Sequence, residues 1–434
     1  MAGKNAYKGA HFAPQVAAPQ EPRRKRSKAP LIIIIVLILL AAAGAGGFWF
    51  WRHRPVNVTV NGEQVTVFKR STLAQLYEGQ KPNVKPGNLV SVSGKVLEKG
   101  KGDPYSATVN GVDASYADAA EWTIWGDENI QFLDGGDAME EYTTDIVETE
   151  PKLEYQVKPG TGEKADHFQQ GLVQYISQWG RTGKREVRHG KVSGETADGD
   201  VVEEVQNCIV VAQAVHPDND EKLVALTFDD GPSYYTESYL SILADHDAKA
   251  SFFIIGEQVE DGSSVIAKTK EAGHQICSHT WSHQQLPTLD KDELQKEIGN
   301  TSDALKEITG ADVMAMRAPY GDMDTETWLR SGGLLSAAYI WTHDSLDWEL
   351  PGADAIVANC TADMAPGSVI LMHDGGGERD QDVEALPRVI EAWQKEGYKF
   401  VTLDELLASD SSINMEAIRA GAMPEDAVWP TELA

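Results

Sequence analysis

From Leu31 to Trp51 the chain runs LIIIIVLILLAAAGAGGFWFW without one charged side chain. About 20 apolar residues suffice for a helix to cross the hydrocarbon core of a bilayer. The run therefore divides the chain in two before any folded domain is considered. RRKRSK lies on its N-terminal side, and the aromatic cluster Phe48 to Trp51 closes it. Basic residues stay on the cytoplasmic side and aromatic residues settle at the interface, so a single-pass anchor over 31–51 with the rest of the chain outside is expected. A cleaved signal peptide, giving a secreted protein, is the alternative, because Ala41 to Ala45 offers small-residue cleavage sites. Residues 1–30, rich in Ala, Pro and basic groups, read as a disordered cytoplasmic tail.

Charge is divided along the same line. Residues 1–54 hold nine basic side chains and one acidic, which leaves the remainder at −37. A body so acidic repels a phosphate backbone, and nucleic acid is excluded as a partner. The three cysteines, Cys208, Cys277 and Cys360, stand far apart with no CxxC spacing, so neither a zinc finger nor a dense disulfide framework is expected. One pair can bridge, leaving one thiol free.

Residues 56–215 read as a β-rich spacer or binding region. VNVTVNGEQVTVF alternates about Asn61-Gly62, and SATVNGVDAS repeats the pattern at Asn110-Gly111. Both are hairpin signals, with a short helix expected over Thr72 to Tyr77. They suggest a ubiquitin-like module or two small hairpins. Residues 116–215 carry many acids but no cluster of metal ligands or of nucleophile and base.

After the polar break at 216–220, strands alternate with helices up to residue 408, and 409–434 reads as a C-terminal tail. One helix is fully signposted: Asp290 and Glu293 form a capping-box pair, Leu294, Ile298, Leu305 and Ile308 line one face, and Gly310 ends it. The fold class expected is α/β, a barrel or barrel-like sheet. Asp229-Asp230, Arg317, His343-Asp344 and His373-Asp374 each follow an apolar strand, where such folds assemble their sites. His279 and His283 stand at i and i+4, the spacing that puts two imidazoles on one face of a helical turn. With Asp230 they make a set of two histidines and one carboxylate, as catalytic zinc is held, and Asp229 beside them is placed to act as a base. A metalloprotease is disfavoured because HTWSH lacks the glutamate of HExxH. Cys277 reads as a buried small hydrophobe, and Asp374 to Gly377 as a mobile loop without chemistry.

These segments resemble the NodB-homology polysaccharide deacetylases, carbohydrate esterase family four. TFDDGP, HTWSH, RAPYG, DSLDW and LMH match that family's five motifs in order, all within residues 218–408. The resemblance implies a distorted (β/α) barrel that binds Zn²⁺, or another divalent ion such as Co²⁺, through Asp230, His279 and His283. It implies Asp229 as general base, Arg317 as the partner that keeps it ionised, the Tyr320 backbone N–H as oxyanion donor and His373 as general acid. Of the two carboxylates in DSLDW, Asp344 is the expected partner of His373, with Asp347 left open. Trp348 would wall the sugar groove and Leu371 line the acetyl pocket. The activity implied is N-acetyl hydrolysis on an extracellular polysaccharide, peptidoglycan first, by a monomer. O-acetyl or other glycan deacetylation, and a wall-binding scaffold without turnover, are the alternatives.

Overall fold

The structure is a computed structural model that describes residues 29–161, 171–420 and 422–434. Residues 1–28 of the expected basic tail lie outside the described residues. The chain divides into two compact units, Met1–Tyr142 with His189–Thr196, and Thr143–Arg188 with Ala197–Ala434.

In the first unit, α1 (Ala29–Arg52) covers the apolar run, and its side chains from Ile33 onward stand exposed. It is long and apolar enough to cross a membrane. Both Asn-Gly pairs sit at hairpin turns with positive φ, as the two-residue hairpin loop demands. The hairpins belong to one five-stranded sheet. Pro55–Val60 pairs antiparallel with Glu63–Phe68 and parallel with Asn129–Leu133, which in turn joins the Ser106–Val109 hairpin. Helix α2 (Leu73–Gln80), capped by Thr72 and Gln75, buries Leu73 and Leu76 in the same core as Val58, Tyr105 and Ile130.

The second unit is built on an eleven-stranded sheet. Its strands are β1 (Leu153–Val157), β2 (Val173–Gln178), β3 (Cys208–Gln213), β4 (Leu223–Gly231), β5 (Ala250–Ile254) and β6 (Gln275–Ser278), followed by β7 (Ala315–Met316), β8 (Ala337–Tyr339), β9 (His343–Asp344), β10 (Ser368–His373) and β11 (Lys399–Val401). Their order is β1-β3-β2-β8-β7-β6-β5-β4-β10-β9, with β11 also on β4. From β8 through β4 to β9 every pairing is parallel. The sheet is thus a curled half-barrel of the distorted (β/α) kind, open between β8 and β9.

Side-chain alternation along these strands supplies buried cores on both faces of the sheet. Leu226, Phe228, Phe252 and Ile370 face α3 (Thr236–Asp245), α4 (Val259–Glu271), α7 (Ala353–Cys360) and α8 (Asp380–Lys395). Ala225, Phe253, Val369 and Tyr339 face inward, with Leu403, Leu406 and Leu407 of α9 (Leu403–Ala408). Each fully buried Leu, Ile or Phe contributes about 1.5–3 kcal/mol, so both faces are strongly committed. Helix α5 (Lys291–Thr309) has both arms of the Asp290–Glu293 capping box and ends on Gly310 at φ 72°.

Two expected boundaries do not fall at seams. Strands β1, β2 and β3 lie before residue 218, yet β2 pairs antiparallel with β8, so the catalytic sheet draws on the region read as spacer. The segment 409–434 is no loose tail. Ile413 and Ile418 are buried with Tyr175 and Val211, Trp429 packs on Trp179 at 6.1 Å, and Leu433 bridges to Leu153. All three cysteines are buried free thiols.

Candidate active site

Asp229 and Asp230 end β4 and face opposite demands. Asp229 is 3% exposed, while Asp230 adopts φ 67°, a left-handed backbone that an L-residue holds only where its surroundings insist. The insistence comes from the loop after β10. A Cβ on Gly375 would sit 1.9 Å from the Asp230 carbonyl oxygen, so only glycine lets the two chains approach. The loop expected to be mobile is in fact pinned, with Arg379 Nε donating to the Gly375 carbonyl at 2.8 Å and Asp374 accepting from Thr236 Oγ1 at 2.5 Å.

His279 and His283 do not share a helical turn. They lie on an irregular loop after β6 in which Thr280 and His283 have positive φ. The loop still delivers both rings. Ligand atoms of Asp230, His279 and His283 all lie within 4.8 Å of one another. The His279 Nδ1–H donates to the Arg317 carbonyl at 2.9 Å, and burial lowers the His279 pKa to about 3, so Nε2 carries a lone pair. That lone pair is 3.5 Å from Asp230 Oδ1, and His283 Nε2 is 3.4 Å from the same oxygen. Asp230 Oδ1 is buried without a hydrogen-bond donor. One ligand atom from each of the three residues thus converges, and the set suits a divalent ion with open positions.

Arg317 follows β7 and is fully buried. Its Nη1 donates to Asp229 Oδ1 at 2.6 Å and to Thr227 Oγ1 at 2.9 Å, and the guanidinium lies 4.2 Å from the Phe253 ring centre. Burial raises the Asp229 pKa, and Arg317 offsets this only in part, so the net shift is upward rather than the downward one expected. A carboxylate made more basic is suited to taking a proton.

His373, at the end of β10, has its Nδ1 2.6 Å from Asp347 Oδ1, and its backbone N–H donates to Asp347 Oδ2 at 2.7 Å. The expected partner was Asp344, and the structure corrects this. Leu346 at φ 54° and a short turn at Asp347–Glu349 swing Asp347 beneath β10, whereas Asp344 accepts the Leu346 N–H at 2.9 Å and faces the cavity. Burial lowers the His373 pKa, but the Asp347 hydrogen bond and charge outweigh it and bring it to about 9.

These groups line one cavity of about 450 Å³, bounded by Asp229, Asp230, His279, His283, Tyr320, Trp341, Asp344, Trp348, Leu371 and His373. Leu371 is 3% exposed at its floor, and Trp348 and Tyr320, 54% and 58% exposed, stand at its rim. A larger depression of about 720 Å³ shares Trp341 and Asp344, but among the described residues it brings no comparable ligand set together.

Residues 216–333 match the family described as polysaccharide deacetylase. A peptidoglycan-N-acetylglucosamine deacetylase of Bacillus cereus is 32% identical over 192 residues, which are 44% of this chain and 90% of that relative. The chain belongs to the polysaccharide deacetylase family. A chitooligosaccharide deacetylase of Sinorhizobium fredii is 35% identical over 187 residues, 40% of this chain and 87% of its own. The crystal structure of a peptidoglycan N-acetylglucosamine deacetylase is 33% identical, with a TM-score of 0.42, covering 44% of this chain and 91% of that one.

Not every residue that follows a strand enters the deacetylase site. His343 is turned away, its Nδ1 paired with Thr342 Oγ1 at 2.8 Å and its Nε2 with the Ala362 carbonyl at 2.6 Å. Cys277 is fully buried, and burial drives its thiol pKa upward, which removes it from chemistry. Sequence reasoning missed Trp341, which lines the cavity and lies 5.5 Å from the Arg317 guanidinium, and Thr227, the second acceptor for Arg317. Thr227 sits two residues before Asp229 on the same face of β4, a spacing that could have flagged it.

Proposed function

We propose that this deacetylase hydrolyses N-acetyl groups of N-acetylglucosamine residues in peptidoglycan, with a divalent cation, on the outer side of the membrane that α1 spans. The observation that carries the reading is the convergence on one cavity of the Asp230–His279–His283 set, the Asp229–Arg317 pair and the His373–Asp347 pair.

Asp230, His279 and His283 would hold the ion, Zn²⁺ or Co²⁺ for example, which when bound polarises the acetyl carbonyl and makes water more acidic. Asp229 takes a proton from the attacking water. Arg317 fixes the orientation of that carboxylate. The water oxygen bonds to the acetyl carbon, and the Tyr320 backbone N–H donates to the oxygen that gains negative charge. His373 Nε2 then delivers a proton to the sugar nitrogen as the carbon–nitrogen bond breaks, giving a free amine and acetate. Asp347 keeps that ring protonated and aimed. Trp348 offers an indole face for the sugar, and Leu371 packs against the acetyl methyl.

Peptidoglycan is favoured over other glycans by two relatives named for it and by a helix that would hold the enzyme at a wall-facing surface. Relatives named for chitooligosaccharides make chitin oligomers the direct rival. Acetate release by the full chain in detergent from peptidoglycan, chitin oligomers and acetylated xylan separates them. Fastest release from peptidoglycan is expected, and release from xylan alone would overturn the substrate assignment.

A further inference from the structure

The first unit presents an aromatic and basic face at the point where α1 enters it. Strand Glu63–Phe68 turns Val65 and Val67 toward the core and leaves Gln64, Thr66 and Phe68 outward. Gln64 and Thr66 suit water, but Phe68 is 66% exposed and pairs with Pro55, three residues after the end of α1. The other end of the hairpin, where Val60 pairs with Glu63, lies about 17 Å further along the strand.

Trp125 stands on a loop whose backbone is fixed. The Glu128 carboxylate accepts the N–H groups of Trp125 at 2.6 Å and Gly126 at 2.7 Å, and the Arg70 N–H donates to the Ile124 carbonyl at 2.6 Å. Gly126 lies against Val56, where an added Cβ would come within 3.1 Å of that side chain. The loop is thereby held to the Phe68–Ser71 turn and to the first strand, while the Trp125 indole stays 54% exposed. An indole presented outward on a fixed backbone is available to a partner.

Lys69 ties this loop to the helix. Its Nζ lies 4.7 Å from the Trp51 ring centre and 5.6 Å from that of Trp125, and its N–H donates to the Arg54 carbonyl at 2.9 Å. The Arg70 guanidinium adds a second cation 5.4 Å from the Trp125 ring centre. Trp51 closes the apolar run with Phe48, Trp49 and Phe50, so Trp125 stands at the end of α1 that carries the aromatic belt. Segments 48–55, 68–71 and 124–128 hold four basic side chains, Arg52, Arg54, Lys69 and Arg70, and two acidic ones, Asp127 and the Glu128 that serves the loop backbone. Aromatic rings beside Arg and Lys settle in the headgroup layer, with the rings at the acyl boundary and the cations on phosphates.

We propose that Phe68, Lys69, Arg70 and Trp125 form a docking face by which the first unit rests on the bilayer beside α1, with anionic phospholipid headgroups as the partner. This rests on the reading of α1 as a membrane span. The face continues the aromatic belt of that helix, so lipid is the partner already in reach of it.

Nitroxide labels on the full chain in nanodiscs of phosphatidylcholine and phosphatidylglycerol test this, because the three native thiols are buried and only an introduced cysteine reacts. A label at Phe68→Cys should show a several-fold higher ratio of oxygen to nickel-chelate accessibility than one at Glu63→Cys, and a label at Leu39→Cys the highest of the three. Equal, water-like values at positions 68 and 63 with lipid around position 39 would overturn the docking face and leave the span standing. Water around position 39 would overturn both. With Lys69→Glu and Trp125→Ser together, the position-68 label should move into water while the position-63 spectrum stays that of a folded hairpin. A position-68 label still in lipid would overturn the assignment to these residues. In nanodiscs of phosphatidylcholine alone the position-68 label should retreat from lipid, and an unchanged ratio would overturn the choice of anionic headgroups.

Discussion

His373 Nδ1 lies 2.6 Å from Asp347 Oδ1, and the same carboxylate takes the His373 backbone N–H through its other oxygen at 2.7 Å. One fully buried side chain therefore fixes both the ring and the strand end that carries it. The pairing raises the His373 pKa from 6.5 to about 9, against the downward effect of burial. A proton donor must be protonated, so kcat/KM for acetate release should fall as pH rises through about 9. Asp347→Asn removes the opposing charge and should move that alkaline limb down by about 1–3 units. A limb that stays in place would contradict a role for Asp347 in charging His373.

The same shift has a stability consequence. Because the folded pKa of His373 lies above its unfolded value of 6.5, the stabilisation is complete below about pH 6.5 and is lost as pH rises through about 9. Urea titrations at pH 6 and pH 9.5 should show the wild type losing more stability over this interval than Asp347→Asn. Equal losses would contradict the linkage.

Removing the ion should remove activity and change the protein physically. After chelation, acetate release should vanish and the melting temperature fall, and Zn²⁺ or Co²⁺ should restore both. Saturation at about 100 times Kd stabilises a folded site by about 2.7 kcal/mol. Bound metal should drop from near one ion per chain to near zero in His279→Ala. A melting temperature indifferent to metal in the wild type would contradict the ligand set.

Arg317 is worth more to the fold than a surface charge would be. It is fully buried and paired to a carboxylate that is itself 3% exposed. Arg317→Met would leave Asp229 buried without its partner, and breaking such a pair costs about 3–5 kcal/mol. Arg317→Lys should recover little, because a single ammonium cannot reach Asp229, Thr227 and the Ile340 carbonyl together. Chemical denaturation of the three proteins measures this, and a loss under about 1 kcal/mol for the Met variant would contradict the burial argument.

The extent of the second unit predicts which pieces fold. Residues 218–408 alone would expose the β8 edge that β2 covers and the faces that meet Ile413 and Ile418. Residues 143–434 keep both. The longer piece should show a cooperative thermal transition and the shorter should aggregate, and a well-folded 218–408 would contradict the shared sheet.

The side chains that line the candidate site were legible in the sequence because most of them follow an apolar strand, and a parallel sheet carries such positions to one edge. The capping box at Asp290 and the Asn-Gly hairpins were legible for a similar reason, since the signal and the structure are local. What escaped depended on backbone turns or on distant pairing. The choice of Asp347 over Asp344 hangs on the left-handed Leu346, and the two histidines meet through left-handed Thr280 and His283 rather than a helical turn. Nothing near residues 153–213 announces that their strands will join a sheet whose other members begin at Leu223, because β2 and β8 are separated by more of the chain than any local pattern spans.

The proposed deacetylation depends most directly on Asp229 as the base in a metal-dependent site. Acetate released from N-acetylglucosamine oligomers by the Zn²⁺-loaded full chain should be abundant for the wild type and reduced at least about 100-fold for Asp229→Asn, with bound metal unchanged. Wild-type release that persists in Asp229→Asn at full metal occupancy would contradict it.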